Sequence, residues 1–460
     1  MAQVSFMKTI TVPNTCEINC LGKPSLEVKT LEAPELIGVK PPSVSNFELC
    51  LHVSIGDHVQ IGTRLFSDKK YREVHILSPA SGQISDIRYG PKNALDVIVI
   101  KRDKEESRLQ ISDQKTSLST YQLSQVTRDS LVTSLLDGGL WTSFRQFPFR
   151  NIPDPKQIPP AIYVSIDQDE PFLPNGTVLL KDHIELFGIG VAVLNNIANG
   201  NLYIGVSQKN PRIKSALREL ITHQIIGDYP ANDPGVFLYH TKTSSELNNA
   251  WYITAQDVLR IAEWIVTAHY PIDQLITLGG PGVSKPMHYK TRIGMSIKDI
   301  VRETTITPNP RYIAGGIMTG RTTTQDDFLG ADEHGVNVLS EETDQEWVPY
   351  IKPGLYRPTS TTAFLSALLP IRRHPLTTAL QGSPRDCISC GDCMPVCPVN
   401  LLPQFIHKHL ENNQENLAIE HGLLDCVECG LCSYICPSKI ELTATFKSAR
   451  SRLEKTGVSS

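Results

Sequence analysis

The 460-residue chain is short of three things that would each have assigned it a class. It has no long hydrophobic run: no window of about 18 apolar residues occurs, so the sequence predicts no membrane-spanning helix. The opening stretch MAQVSFMKTI has no apolar core of the kind a secretory signal needs. Together these absences predict a cytoplasmic protein, attached to any membrane only through a partner. Surplus positive charge is missing too: 44 Lys and Arg face 48 Asp and Glu, a formal net charge of −4. That speaks against a nucleic-acid partner. Phosphate-cradling loops are the third absence. No G-x-G-x-x-G follows a strand pattern, and no G-x-x-x-x-G-K-[ST] occurs. The fragment Phe187-Gly188-Ile189-Gly190 lies inside an apolar run and reads as a close helix-packing site. Gly138-Gly139 leads into Leu140-Trp141, side chains too bulky for a backbone cradle.

What the chain has is cysteine, concentrated. Of its 11 cysteines, eight fall in DCISCGDCMPVCP (386–398) and DCVECGLCSYICP (425–437). Each run is C-x2-C-x2-C-x3-C-P, the bacterial ferredoxin spacing in which the fourth cysteine ligates the other cluster. The spacing therefore predicts two [4Fe–4S] clusters. Cluster 1 takes Cys387, Cys390, Cys393 and Cys436; cluster 2 takes Cys426, Cys429, Cys432 and Cys397. Each Pro after the fourth cysteine turns the chain and offers no N–H. Zinc ribbons compete, but they show paired C-x2-C knuckles rather than four cysteines in eleven residues. Disulfides compete less well in a reducing compartment. Cys16, Cys20 and Cys50 remain; Cys16 and Cys20 read as ordinary buried thiols. Iron–sulfur clusters carry single electrons, so the functional class starts as electron transfer, with no catalytic acid or base assigned.

In chain order, residues 1–105 read as short strands between turns. G-D-x-V-x-x-G-x-x-L at 56–65 followed by S-P-A-S-G-Q-I at 78–84 resembles the barrel-sandwich hybrid of biotinyl and lipoyl domains. Neither Lys69 nor Lys70 sits in a modification context, so a structural barrel is expected. Residues 106–125 are a polar linker. From 126 to 249 helix and strand patterns alternate, predicting a Rossmann-like α/β domain with a parallel sheet. Helices are expected within 128–141, where Gly138-Gly139 stops the helix, at 185–198 and at 214–225, and strands at 161–166 and 201–208. Residues 250–330 suit a β-grasp fold, with a helix over 253–267 and Ser296 as N-cap of another. Residues 331–380 read as a connector, including a helix at 364–370. Residues 381–460 form the cluster domain. Its 28-residue spacer between Cys397 and Cys426 is helical, with Phe405, Ile406, Leu410, Leu417 and Leu424 as the expected buried face, which makes it an α-helical ferredoxin. His407, His409 and His421 are expected on its surface or behind the ligands. Asp386, Asp392, Asp425 and Glu428 would lower the cluster potentials through their charge. The basic residues Lys439, Lys447, Arg450 and Arg452 read as a solvated face of the last helix.

Several stretches carry a resemblance: LDGGLWTSFRQFPFRNIP (136–153), IYVSIDQDEPFLP (162–174), WYITAQDVLRIAEWI (251–265), LITLGGPGVSKPMHYKTRIGMSIKDIV (275–301) and LDCVECGLCSYICPS (424–438). The chain resembles the NqrA family, one component of the bacterial sodium-translocating NADH:quinone reductase. At its C-terminus it resembles the RnfC component of the Rnf complex. The resemblance implies that 250–330 is a soluble-ligand-binding (SLBB) β-grasp domain. It also implies a peripheral electron-transfer subunit on the cytoplasmic face of the bacterial inner membrane. Partners would be the membrane subunits of that complex and its flavin subunit, with a quinone as a candidate ligand. An Rnf-type component exchanging electrons between ferredoxin and NAD, or a scaffold with fold-stabilising clusters, are the alternatives. Where the Rnf-type component has a GGAGFPT loop for flavin and NADH, this chain reads DGGLWTSFRQFPF, which argues against binding either FMN or NADH. The familiar forms of NqrA have largely lost the C-terminal cysteines; this chain keeps all eight.

Overall fold

The computed structural model describes residues 7–18, 20–44, 46–110, 126–302, 304–341 and 384–456. The expected helix at 364–370 and most of the expected connector and linker lie outside these residues.

Two β-sheets form a small barrel-like sandwich. Leu36–Val39, Leu95–Arg102, Gly82–Tyr89 and His58–Val59 make one; Leu49–Leu51, Arg64–Asp68 and His75–Leu77 make the other. Alternation packs Ile37, Val39, Ile84, Ile98 and Ile100 into its core.

A six-stranded sheet runs Lys8–Thr11, His223–Ile226, Leu202–Ser207, Ile162–Ser165, Trp251–Thr254 and Arg145–Gln146, parallel except for the last short strand. Its side chains alternate between two different cores. Ile162, Val164, Ile204, Val206, Trp251 and Ile253 point to one face, under the helices Arg128–Asp137, Ile184–Ile197 and Ala255–Thr267. Tyr163, Tyr203 and Tyr252 point to the other. The helix Arg128–Asp137 starts where the Thr127 side chain accepts from Ser130 N–H, and it stops at Gly138, the stop that the Gly138-Gly139 pair predicts. Gly190 is the close-packing point expected of the F-G-I-G fragment: a Cβ there would come within 2.5 Å of the Val258 carbonyl oxygen on the crossing helix.

Sequence and structure part company at 214–225. Helical spacing continues through Leu217 and Ile221, but the helix spans only Pro211–Ala216 and the chain then becomes the strand His223–Ile226. That strand has parallel neighbours on both sides, Leu202–Ser207 and the distant Lys8–Thr11, and ladder pairing overrides local propensity. Trp251–Thr254 and Ala255–Thr267 likewise belong with this sheet, pairing beside Ile162–Ser165 and packing on Ile184–Ile197.

The third unit is a mixed sheet ordered Arg321–Thr323, Pro310–Ala314, Gly335–Ser340, Asp273–Gly279, Met287–Arg292 and Ser25–Thr30. Ser296 caps the helix Ile297–Val301 through Asp299 N–H, as predicted. The fourth unit, residues 384–456, has the helices Pro403–Glu411, Glu415–Glu420, Leu431–Ile435 and Leu442–Lys455, with Cys432 on the third and the other seven cysteines of the two runs in the turns around them. Its apolar residues Val399, Ile406, Leu423 and Phe446 share one core with Tyr163, Ile225 and Phe237 of the parallel sheet. The cysteine unit therefore covers the second face of that sheet.

Candidate metal centre

The first cavity of this unit is lined by Cys387, Cys390, Cys393 and Cys436, with Gln404 and His407 beside them. A second is lined by Cys397, Cys426, Cys429 and Cys432, closed by Leu431 and Phe446. Each quartet takes three thiols from one run and the fourth from the other, the same grouping that the spacing predicts. Local geometry explains the grouping. Ser389 and Glu428 take φ of 55° in the middle of the two C-x2-C turns, and Gly391 and Gly430 follow at 81° and 82°, so each turn wraps three thiols inward. The Leu431–Ile435 helix then carries the chain across to Cys436. Cys397 sits in a turn whose Leu401 N–H points at its sulfur at 3.3 Å.

Burial opposes the thiolate form that binds metal. It pushes the Cys393 and Cys426 thiols up to about 11 and Cys432 to about 12, with neighbouring cysteines adding to the shift at Cys393 and Cys432. Cys397 and Cys429 move the same way for the same first reason. Four ionised sulfurs in an enclosed space need positive charge among them, which a metal core supplies. Among the described residues, no group of three or more His, Cys, Asp or Glu converges as ligands of a single metal ion would. Two all-thiol quartets, each drawn three-to-one from a pair of C-x2-C-x2-C-x3-C runs, suit an inorganic cube better than the paired C-x2-C knuckles of mononuclear zinc. The residues present fit [4Fe–4S] ligation.

The second site is gripped from outside its own unit. Tyr229 OH donates to the Cys429 carbonyl at 2.6 Å, Arg150 Nη2 to the Val427 carbonyl at 2.9 Å, and Asn14 Nδ2 to the Cys397 carbonyl at 3.3 Å. His240 Nε2 lies 2.9 Å from the Pro398 carbonyl. Arg150 is itself fixed by Asp233 at 2.8 Å. Arg450, from the last helix, donates to the Cys426 carbonyl, to Pro148 and to Glu428 at 2.8 Å. None of Tyr229, Arg150 or Asn14 carries a local sequence signal; they lie hundreds of positions from the cysteines they hold.

Several expectations change. Arg450 is 2% exposed, not part of a solvated face. Asp425 and Glu428 are paired with Lys242 and Arg450, so they are not uncompensated charges near the second site. Phe405 and Leu417 are exposed at 42% and 37%; Ile406 and Leu410 are buried on Pro403–Glu411 as expected, together with Pro403 and His407. The break at Asn412–Gln414 ends the helical periodicity that linked them; Phe405 lies against the His421 ring instead, at 6.1 Å. His407 is buried against the first cavity and 3.3 Å from Glu411. Cys20 is buried, Cys16 half-buried and Cys50 exposed. In DGGLWTSFRQFPF, Leu140, Trp141 and Phe144 are buried, and Trp141 meets Trp251 edge-on at 5.6 Å, while Gly139, Thr142, Ser143 and Arg145 line a cavity of about 230 Å³.

No helix among the described residues is long and apolar enough to cross a membrane. Family models match in the same order as the units: the NqrA N-terminal barrel-sandwich hybrid domain over 10–103, the NqrA second alpha/beta domain over 126–270, the NQRA C-terminal domain over 275–325 and a 4Fe-4S dicluster domain over 385–440. The NqrA component of the Na(+)-translocating NADH-quinone reductase of Marinomonas sp. is 28% identical over 88% of this chain and 89% of its own. Its counterpart in Pseudomonas aeruginosa PAO1 is 30% identical over 81% of this chain and 82% of its own. Among solved structures, an NAD+-reducing [NiFe]-hydrogenase is similar with a TM-score of 0.36 at 13% identity over 51% of this chain and 52% of that one, too distant to carry an argument. With a relative at 30% identity across four-fifths of both chains, and NqrA models on three of its four units, this chain belongs to the NqrA family of the Na+-translocating NADH-quinone reductases.

Proposed function

We propose that the chain is the peripheral electron-transfer subunit of a sodium-translocating NADH:quinone oxidoreductase, holding two [4Fe–4S] clusters. Cys387, Cys390, Cys393 and Cys436 would hold one; Cys426, Cys429, Cys432 and Cys397 the other. The observation that carries the reading is the pair of cavities, each lined by four thiols drawn three-to-one from the two runs. When bound, such clusters accept and release single electrons without proton chemistry of their own. The protein's part is to place them. Tyr229, Arg150, Asn14 and Arg450 hold the second site's backbone against the parallel sheet, and Phe446 and Leu431 keep water from its thiols. The first site, with Cys390 exposed, faces outward on that side, where a partner can approach. Those partners are the membrane and flavin subunits of the same complex, with the chain on the cytoplasmic face of the membrane. In fold terms the sheet unit is Rossmann-like, the third unit β-grasp and the last an α-helical ferredoxin. The parallel order of the main sheet and the short helices around the cysteines support those names.

Iron and acid-labile sulfide analysis of anaerobically purified protein, with electron paramagnetic resonance after reduction, tests the reading. About eight irons and two reducible centres are expected; fewer than about six irons per chain rejects the two-cluster assignment.

A further inference from the structure

Glu170, on the loop that follows Ile162–Ser165, is 9% exposed and makes no ion pair among the described residues. A carboxyl buried that far is normally matched by a cation. This one reaches across to the third unit instead. Its Oε1 accepts from the N–H groups of Met318 and Thr319 at 2.6 and 2.9 Å, and its Oε2 lies 2.7 Å from the Thr319 hydroxyl. Both residues belong to the turn 315–320, between Pro310–Ala314 and Arg321–Thr323. The same turn meets the second cysteine run: the Met318 carbonyl oxygen lies 2.9 Å from where a Cβ on Gly430 would stand. Gly430 sits between Cys429 and Cys432. Met318 alone spans the gap, so the carboxyl lies within roughly 10 Å of that turn. Tyr229, whose hydroxyl donates to the Cys429 carbonyl, feels the charge of the same carboxyl.

The hydrogen bonds suit either protonation state. Oε1 can accept from both N–H groups in the acid as in the carboxylate. The Thr319 hydroxyl can donate to an ionised Oε2 or accept from a protonated one. A proton can therefore come and go without leaving a buried group unmatched. Burial pushes the carboxyl up from its ordinary value, and its hydrogen bonds only partly oppose that shift. The surroundings add little charge of their own. The turn 315–320 has none, and Asp233 is paired with Arg150 at 2.8 Å. On the same loop, Asp167 accepts from Ser207 N–H and Asn210, and Asp169 from Asn232; Lys209 reaches Asp228 at 2.7 Å.

We propose that Glu170 is a proton acceptor linked to the second site: it binds one proton from water when that site gains an electron and returns it when the electron leaves. The inference rests on the two-cluster reading. At about 10 Å and an effective dielectric constant of about 20, one added electron favours the protonated form about tenfold. The reduction potential of the second site should then fall as the pH rises through the titration of Glu170, by about 59 mV in all, which is that tenfold for a one-electron couple.

The test is potentiometric titration of the anaerobically prepared full-length chain, followed by electron paramagnetic resonance, from about pH 5 to 9. The second centre is the one that survives Cys393→Ser. It alone should show the fall. In Glu170→Gln, whose amide copies the neutral acid toward Thr319, its potential should stay at the low-pH value throughout. A second centre whose potential ignores pH overturns the inference, and so does the same fall in Glu170→Gln, which would assign the proton to Asp167 or Asp169. Should Glu170→Gln fail to fold, the unaltered chain decides: a fall at neither centre, or equal falls at both, overturns the inference. Fewer than two reducible centres overturns the cluster reading and this inference together; two centres without the pH contrast overturn this inference alone.

Discussion

In the first cysteine run Ser389 and Gly391 hold φ of 55° and 81°; in the second, Glu428 and Gly430 hold 55° and 82°. The two turns are backbone copies, yet their surroundings differ. Arg385 bonds the Pro437 and Ser438 carbonyls behind the first site, and Lys408 reaches Ser389 at 3.1 Å, all within the C-terminal unit. The second is held by Asn14, Arg150, Tyr229 and His240 from the sheet unit. A repeated motif can thus supply two identical ligand cages while the fold makes one of them internal and the other a surface feature. The internal site lies where the unit docks on the sheet; the outer one keeps Cys390 exposed.

Removing a ligand from each site should break the comparison most sharply. Cys393→Ser and Cys429→Ser should each lose about four irons per chain by chemical analysis. Thermal melts should then separate them. Loss at the second site should loosen the shared core and lower the melting temperature further than loss at the first. Equal losses of stability would mean that the second site's outside contacts do not couple it to the sheet.

Arg150→Met comes next. It leaves Asp233 without its cation and opens the Val427 carbonyl. The pair is about one-fifth exposed, at 22% and 21%, so roughly 2–4 kcal/mol is expected, below the range for a fully buried pair. Urea titration should show it, together with faster proteolysis between the sheet unit and the cysteine unit. The first cluster's iron should remain.

How much of this was legible in the sequence depends on the range of the interaction. The two thiol quartets follow from spacing within runs of about a dozen residues, because cluster ligation is a local geometric demand. The helix cap at Ser296 was legible for the same reason. The edge strands Lys8–Thr11 and Ser25–Thr30 were not. Each pairs with a strand more than 200 residues away, at His223–Ile226 and Met287–Arg292, and its own residues say nothing of which. Arg450 was misread because a cation on a helix normally faces water; only the carbonyls of Cys426 and Pro148, brought together by docking, give it a reason to be buried. The cavity of about 230 Å³, lined from residues 38 to 334, has no sequence signature at all.

A pH effect should fall on the sheet side of the comparison. His223 lies in the face beneath the second site, stacked on Tyr203 at 5.7 Å, and burial lowers its pKa to about 4 from 6.5. The unfolded chain therefore binds a proton that the folded one refuses between about pH 6.5 and pH 4, and stability falls as the pH drops through that window. The loss should reach roughly 2–3 kcal/mol. Melting curves between pH 7 and 4 should show it, and His223→Gln should flatten the dependence. An unchanged slope in that variant would place the acid sensitivity elsewhere.

The smallest effects give the finest comparison, because the same substitution can be made at the same backbone position of both turns. Ser389 and Glu428 both carry a Cβ in the left-handed region, which costs roughly 1 kcal/mol relative to glycine. At the first site, Ser389→Gly relieves that strain and loses only an exposed hydrogen bond from Lys408. Glycine's greater unfolded-state freedom offsets part of the gain, so the net change should lie between zero and about 1 kcal/mol of stabilisation. At the second site, Glu428→Gly relieves the same strain but removes the carboxylate from Arg450, whose guanidinium is 3% exposed. A buried cation left short of its partner costs more than the relief returns, so this variant should be destabilised by about 1–2 kcal/mol. Denaturant midpoints of the two variants should therefore move in opposite directions. If both rise, Arg450 is satisfied by the Cys426 and Pro148 carbonyls alone, and the second site's grip depends on backbone contacts rather than on charge.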